Sequence, residues 1–456
     1  MKSYLVNILS ILSFIAASLI SFFIGLIFYD SSKGLDFNKY SKNLNLFLGN
    51  EETVYESSGT LYFYIVANFL NNQFGNIDDQ SIGLFYNYSI QLINFILFLI
   101  GLAGLFVVFK KKGYRNFDIM VSFIILCFLP TAYYFRLTMK PEVMAFALFP
   151  WCIHLLNKFF QSRNLLNTFG SVVVLSILLT IKLSITGMVL IALFFFYKDY
   201  LKVERNFLKL LVYTFFSSLF LIFLNYRVTG IWLFKRPTSL ENFDRWNNIA
   251  TLSFYTNIDL INLYQNPYQH VHAESFIAIT LLDTLSDYFR FFWNHEENTN
   301  FIAYDKIKFS ENFLIQEFIS QYISIVFTLV IYFLIVLLVI KKFQNKYWLA
   351  LPFYGWLILI INSFGFPSKN FDPLTGDLFK VHYYSFFFAI SFFVLILHFI
   401  SRLKSAKLLI FILIPIFLLS IGFPKNISDS NVADIGKKIE FYNLCKVTNF
   451  TKQLSC

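Results

Sequence analysis

Charged residues are scarce in this sequence. Asp, Glu, Lys and Arg make up 14% of its 456 residues, whereas hydrophobic residues make up 57%. Soluble globular domains carry about 25% charged residues, so this composition excludes a soluble domain, whose surface would be too apolar for water. The apolar residues fall into runs of about 20, the length at which an α-helix spans a hydrocarbon core of about 30 Å. The sequence therefore predicts an all-α polytopic membrane protein.

Several common motifs are also missing. The sequence contains no Walker motif, no dinucleotide-binding glycine pattern and no nucleophile elbow, which disfavours a primary pump driven by ATP. It has only four cysteines, and their spacing does not match a zinc site. We expect Cys127 and Cys152 to be unreactive core thiols. Cys445 and Cys456 lie in the polar C-terminal tail, and two alternatives stay open for them: a disulfide, or two free thiols.

The apolar runs predict about eleven transmembrane helices. We place them near residues 4–29, 85–109, 117–134, 143–157, 167–181, 184–197, 207–225, 319–340, 347–364, 381–400 and 408–422. The fifth and sixth are short and separated only by Lys182 and Leu183, which is typical of a tight helical pair. The segment LYFYIVANFL (61–70) is too short to span and is expected to lie at the interface.

The positions of the basic residues predict the orientation. Lys and Arg clusters follow alternate spans, at 110–115, 158–163, 198–205, 341–346 and 402–407. By the positive-inside rule, the N-terminus is cytoplasmic and the C-terminus extracytoplasmic. The net charge of +10 is then explained by topology and lipid headgroups, and nucleic acid is not expected as a partner.

This topology divides the chain into four parts. Residues 1–225 form an N-terminal transmembrane module that includes the first outer loop, 30–58. Residues 226–315 form a long extracytoplasmic region, and we expect interfacial helices in both outer segments. Residues 316–422 supply the C-terminal transmembrane helices, and residues 423–456 form an extracytoplasmic tail. Every polar segment large enough to build a site is therefore expected outside the cytoplasm.

The first outer loop holds acidic candidates. Asp36 and Tyr40 share a face if residues 36–48 are helical, and Glu56 belongs to an acidic patch further along. A carboxylate just above the membrane can act as a general base or hold a metal ion. The simpler interpretation is a set of solvated loop acids or helix N-caps.

Basic candidates occur in three later segments. Lys140 and Glu142 flank Pro141 at the predicted start of the fourth span, where ordinary helix-start chemistry is the alternative. Lys182 interrupts an apolar run, and an ionisable group at that depth is costly unless it is paired or near water. Lys380 and His382 lie at the start of the tenth span and are placed to meet a lipid phosphate, although simple anchoring explains them equally well.

The order of these motifs resembles the C-type superfamily of membrane glycosyltransferases, which includes protein O-mannosyltransferases and aminoarabinose transferases of lipid A. The similarity covers about the first 300 residues. The matching segments are GLDFNKYSKNLNLFLGN followed by LYFYIVANFL, Lys140-Pro141-Glu142 in place of an Arg-Pro-Glu or Arg-Pro-Asp turn, Thr180-Ile-Lys182 through Gly187, DTLSDYFRFFW, and KVHYY. The acidic motif is a single Asp where some members have an Asp-Glu pair, which leaves metal dependence open.

The resemblance implies an inverting transferase that uses a polyprenyl-phosphate sugar donor on the extracytoplasmic side. Asp36 would deprotonate the acceptor hydroxyl of an unspecified glycan, lipid or protein. The leaving phosphate would be bound by Lys140, Lys182, Lys380 and His382, and Tyr40, Glu56 and Glu142 would shape the acceptor site. No cofactor is required, although a divalent metal is compatible, and the expected location is the bacterial inner membrane.

Two other functions remain open. An O-antigen polymerase or ligase also has many spans and a large outer loop, but such enzymes rely on loop arginines. Here that loop has only Arg227, Arg236, Arg245 and Arg290. A transporter or lipid flippase would have inverted repeats and charges in the middle of broken helices, and the sequence has no clear internal repeat.

Overall fold

The computed structural model describes residues 2–28, 44, 46–47, 59–74, 82–162, 164–201, 205–230, 252–261, 275–285, 311–365 and 381–402. All regular structure within these ranges is helical. The helices are α1 (Lys2–Phe28), α2 (Thr60–Phe74), α3 (Ile82–Lys111), α4 (Asn116–Cys127), α5 (Pro130–Arg136), α6 (Glu142–Gln161), α7 (Leu165–Ile181), α8 (Leu183–Leu201), α9 (Arg205–Thr229), α10 (Leu252–Thr256), α11 (Phe276–Asp283), α12 (Glu311–Ile340), α13 (Lys346–Leu349), α14 (Leu351–Gly365) and α15 (Ser385–Arg402). A short 3₁₀ turn, Val381–Tyr383, precedes α15.

The prediction of an all-α, multi-pass membrane protein is confirmed. Six helices of the described chain are long and apolar enough to cross a membrane, within α1, α3, α6, α9, α12 and α15. The apolar stretches of α7, α8 and α14 are shorter. The span predicted at 408–422 and the C-terminal tail lie outside the described residues, so the count of about eleven spans and the orientation stay predictions.

The third predicted span, 117–134, is a bent pair of helices rather than one rod. Its halves, α4 and α5, meet at an angle of 73°. The cause is Pro130, which is the first residue of α5 and restricts the residue before it to extended backbone. Leu129 accordingly has φ −69° and ψ 122°. Counted as one span, the pair raises the number of candidate spans to seven.

Close contact between α3 and α6 forms one part of the core. A Cβ atom on Gly101 would lie 2.5 Å from the Phe146 ring, so only glycine allows the two helices to approach this closely. Phe146 then stacks on both Phe98 and Phe135, with ring centroids 5.2 Å and 4.9 Å apart. Small residues at such contacts are typical of helix packing in membranes, where close backbone approach replaces the hydrophobic effect.

Helix α15 is the most buried of the six candidate spans. Of its residues, 83% are buried, compared with 17% for the span in α9 and 28% for the span in α1. It contacts α4, α5, α6 and α14. The apolar side chains left exposed on α1 and α9 are therefore suited to contact lipid, whereas α15 and the 3₁₀ turn before it are held inside the bundle.

Candidate functional site

A buried ion pair joins the start of α6 to the junction of α7 and α8. Lys182 Nζ donates to Glu142 Oε1 at 2.9 Å. The exposed fractions of the two side chains are 11% and 1%, so both charges are removed from bulk water. Glu142 Oε2 has no hydrogen-bond partner among the described residues. A pair this deeply buried stabilises each charge only while both are present.

Lys182 occupies this position because it separates two helices. Its backbone is extended, with φ −163° and ψ 143°, which ends α7 before α8 begins at the next residue. The Thr186 hydroxyl donates back to the Leu179 carbonyl at 2.6 Å and so ties the two helix ends together. The prediction that the two short helices meet at Lys182 and Leu183 is confirmed.

Gly59, just before α2, fastens a third segment to the same junction. Its amide donates to the Ile181 carbonyl at 2.7 Å, which satisfies an acceptor at the end of α7. Its φ is +69°, and a Cβ atom there would lie 2.7 Å from Pro141 Cβ. Gly59 therefore packs between the residue that precedes Glu142 and the residue that precedes Lys182.

Lys140 and Lys182 face the same aromatic ring. Lys140 is 1% exposed, and its Nζ lies 5.6 Å from the centre of the Tyr383 ring. Lys182 Nζ lies 4.9 Å from the centre of that ring. A ring face attracts cations, and the attraction is stronger where water is excluded. Tyr383, in the turn before α15, thus brings together two cationic groups that are 42 positions apart in the sequence.

Lys140, Glu142, Lys182 and Tyr383 form a cluster that we call the Tyr383 cluster. A series of hydrogen bonds from α2 and α3 supports it. The Tyr62 hydroxyl donates to Asn94 Oδ1 at 2.8 Å, and Asn94 Nδ2 donates to the Thr138 carbonyl at 2.7 Å. Tyr62 also interacts with the Lys140 backbone and, electrostatically, with Glu142. These contacts link α2 and α3 to the segment that carries Lys140 and Glu142.

Arg136, the other cation of that segment, belongs to a different environment. Its guanidinium donates to the Ser21 hydroxyl at 2.6 Å and to the Ser21 carbonyl at 3.1 Å, and it lies 4.6 Å from the centre of the Tyr133 ring. The two hydrogen bonds to Ser21 hold α5 against α1. They do not place Arg136 beside the Tyr383 ring that Lys140 and Lys182 share.

An apolar cavity of about 230 Å³ lies between α2, α6, α7 and α9. It is lined by Phe47, Gly59, Leu61, Tyr62, Tyr64, Met144, Ile177, Thr180, Ile181, Leu221, Leu224 and Asn225. Met144 is two positions after Glu142, and Ile181 is adjacent to Lys182, so the cavity adjoins the ion pair. Leu61 and Leu224 are each 41% exposed, which places part of the wall on the outer surface of the bundle.

The structure brings three of the predicted site residues together: Lys140, Glu142 and Lys182. Asp36, Tyr40, Glu56 and Lys380 lie outside the described residues, as does the proposed pairing of Cys445 with Cys456. His382 lies in the turn before α15, although its side chain is not among those described. Cys127 and Cys152 are buried, free cysteines, as predicted. Within the described part of the chain, no three His, Cys, Asp or Glu side chains cluster as a metal site would require.

Sequence reasoning missed Tyr383, Tyr62 and Asn94. Asn94 interrupts the second apolar run, and a polar side chain inside a span is a signal for a partner. Tyr383 belongs to the KVHYY segment, but nothing there distinguished it from the other tyrosines of the sequence, which has 27 in all.

Comparison with known proteins provides no relative from which to assign a function. No family model, no curated protein and no solved structure matches this chain. The geometry of the Tyr383 cluster therefore carries the functional argument.

Proposed function

We propose that this chain is a membrane glycosyltransferase that moves a sugar from a polyprenyl-phosphate donor to an acceptor hydroxyl. The observation that carries the proposal is the position of two buried lysines around the Tyr383 ring, beside an apolar cavity. A polyprenyl phosphate has the complementary form, an anionic head on a long apolar chain. The resemblance to C-type glycosyltransferases supports the same donor class.

In the proposed site, Lys140 and Lys182 bind the donor phosphate. Negative charge grows on this phosphate as the bond to the sugar breaks, and preorganised cations lower the energy of that transition state. The hydrogen bond from Lys182 to Glu142 holds the lysine in place while the site is empty. The polyprenyl chain occupies the cavity between α2, α6, α7 and α9, whose wall opens to lipid at Leu61 and Leu224.

Asp36 is proposed as the general base, on the basis of the resemblance. It takes the proton from the acceptor hydroxyl, whose oxygen attacks the anomeric carbon from the face opposite the phosphate. The new carbon–oxygen bond forms as the bond to the phosphate oxygen breaks, so the configuration inverts and polyprenyl phosphate leaves. Lys380 and His382 are further candidates for binding that phosphate, and Tyr40 and Glu56 for shaping the acceptor site.

The proposal places the reaction on the extracytoplasmic face of a bacterial inner membrane. Nucleotide sugars are absent there, so a donor has to arrive attached to a lipid. The acceptor is a hydroxyl of a glycan, a lipid or a protein.

The direct test is a transfer assay with the full chain in lipid nanodiscs. Radiolabelled polyprenyl-phosphate sugars are supplied together with acceptors extracted from membranes, and release of polyprenyl phosphate is measured. We expect release by the wild-type chain and its loss in Asp36→Asn. The result could instead be that the wild-type chain releases no polyprenyl phosphate from any donor but moves a fluorescent polyprenyl lipid across the bilayer. That result would indicate a flippase.

A further inference from the structure

A second set of cations lies near the C-terminal ends of α3 and α8, where the Lys and Arg clusters at 110–115 and 198–205 begin. The site around Tyr383 lies at the opposite end of α8, beside Lys182. Four aromatic side chains form the base of the second set, and we call them the aromatic cluster: Phe109, Phe196, Tyr347 and Trp348. Their ring centroids are 5.3 Å apart for Phe109 and Trp348, 5.0 Å for Phe196 and Trp348, and 5.9 Å for Phe196 and Tyr347. The cluster joins α3, α8 and α13.

Three lysines from separate segments surround the aromatic cluster. Lys112 Nζ lies 5.3 Å from the centre of the Phe109 ring and 5.7 Å from that of Trp348. Lys198 Nζ and Lys346 Nζ lie 6.0 Å and 5.0 Å from the centre of the same Tyr347 ring. None of these ammonium groups lies within 4.0 Å of a carboxylate oxygen in the described part of the chain, where the carboxylate of Asp118 pairs with Arg115.

Asn345 fixes the geometry of this arrangement. It is 1% exposed, accepts a hydrogen bond from Lys112 Nζ at 2.5 Å, and donates to the Tyr114 hydroxyl at 2.9 Å. This hydrogen bond holds the Lys112 ammonium over the aromatic rings, while the residue as a whole stays exposed. Lys198 and Lys346 face the same Tyr347 ring, so their like charges repel one another, and a bound anion reduces that cost.

The surface of α8 indicates what kind of anion fits. Phe194 and Leu190 precede Lys198 by four and eight positions, so all three lie on one face of the helix. The two apolar side chains are 54% and 48% exposed. An apolar strip that ends at a half-buried lysine matches a phospholipid, whose acyl chain would follow α8 and whose phosphate would meet the lysines.

We propose that Lys112, Lys198 and Lys346 form a binding site for the phosphate headgroup of an anionic phospholipid. The lipid belongs to the leaflet on the side of the basic clusters, which we expect to be cytoplasmic. The site is independent of the proposed transferase activity, because it uses none of the same residues.

The test is lipid titration of the purified full chain, followed by native mass spectrometry. Phosphatidylglycerol and phosphatidylcholine with identical acyl chains are compared. We expect retention of phosphatidylglycerol by the wild-type chain, and binding weakened about 30-fold in Lys198→Gln/Lys346→Gln, because each lysine near a membrane surface contributes about 1 kcal/mol. The matched control is Lys110→Gln/Lys341→Gln, which removes the same charge from exposed positions on the same side and should bind as the wild type does.

Three results would overturn the proposal. One is equal retention of the two lipids by the wild-type chain. Another is equal weakening in the control variant, since binding would then depend on total charge alone. The third is full competition by glycerol phosphate at the concentration of the lipid, which would make the site one for soluble anions. A melting temperature measured in detergent confirms that both variants are folded.

Discussion

Glu142 and Lys182 are 40 positions apart in the sequence and 2.9 Å apart in the structure. The pair connects the start of α6 to the junction of α7 and α8, and both partners are buried. A structural ion pair and a phosphate-binding site make different demands on these two residues. Stability depends on the balance of charge, whereas phosphate binding depends on the cation itself.

Paired substitutions separate these two roles. We expect Lys182→Met alone and Glu142→Gln alone each to lower the free energy of unfolding by about 3–5 kcal/mol, because each leaves one buried charge without its partner. The double variant Glu142→Gln/Lys182→Met should regain most of that stability. It should nevertheless remain inactive in the transfer assay. Unfolding in a denaturing detergent, followed by tryptophan fluorescence, measures the first effect.

The double variant is also the decisive control. If its loss of stability equals the sum of the two single losses, the residues do not interact as the structure indicates. If it transfers sugar at the wild-type rate, Lys182 does not bind the donor phosphate.

Gly59→Ala should weaken the contact of the segment before α2 with the junction of α7 and α8. The substitution adds a Cβ at φ +69°, where it would lie 2.7 Å from Pro141 Cβ. Left-handed backbone costs a residue other than glycine about 1–2 kcal/mol, and the contact with Pro141 adds to that cost. Gly113→Ala is the matched control, because Gly113 has φ +88° but no neighbour within 4 Å. A melting temperature that falls further for Gly59→Ala than for Gly113→Ala would identify the effect of the contact, and equal shifts would contradict it.

Gly101→Ala tests the close approach of α3 and α6. The added methyl group would lie 2.5 Å from the Phe146 ring and 2.8 Å from its carbonyl oxygen, so the helices have to separate. Overpacking of this kind costs about 1–3 kcal/mol. Gly170→Ala, whose nearest neighbour is at 3.5 Å, should be neutral or stabilising, since alanine favours a helix. Equal stability of the two variants would show that the contact is not tight.

Much of the fold follows from the length of the apolar runs and from single helix-breaking residues such as Pro130. Runs of about 20 apolar residues indicated α1, α3 and α12, because a bilayer selects for length as well as for apolarity. The bend between α4 and α5 was missed, although Pro130 was its visible cause, because the apolar run continues through the bend. The angle depends on tertiary packing around Leu129, which a one-dimensional pattern does not contain.

The sequence predicted only those site residues that are ionisable and interrupt an apolar run. Lys140, Glu142 and Lys182 stood out because an ionisable group in an apolar run is costly and needs a partner. That Glu142 is the partner of Lys182, and that Tyr383 faces both lysines, depends on which helices are neighbours. No local pattern encodes that choice, and Asn94 and Tyr62 join the site for the same reason.

Asn345 links two loops on the side of the molecule that carries the basic clusters. It bridges Lys112 and Tyr114, which lie between α3 and α4, to the segment that begins α13. Asn345→Ala should lower the free energy of unfolding by about 1–3 kcal/mol, because it removes two hydrogen bonds at a buried position. Gln344→Ala, at the exposed neighbouring position, should have almost no effect. Hydrogen exchange of the 112–115 amides offers a local measurement: we expect faster exchange in Asn345→Ala only, and unchanged rates would mean that the bridge does not hold these loops together.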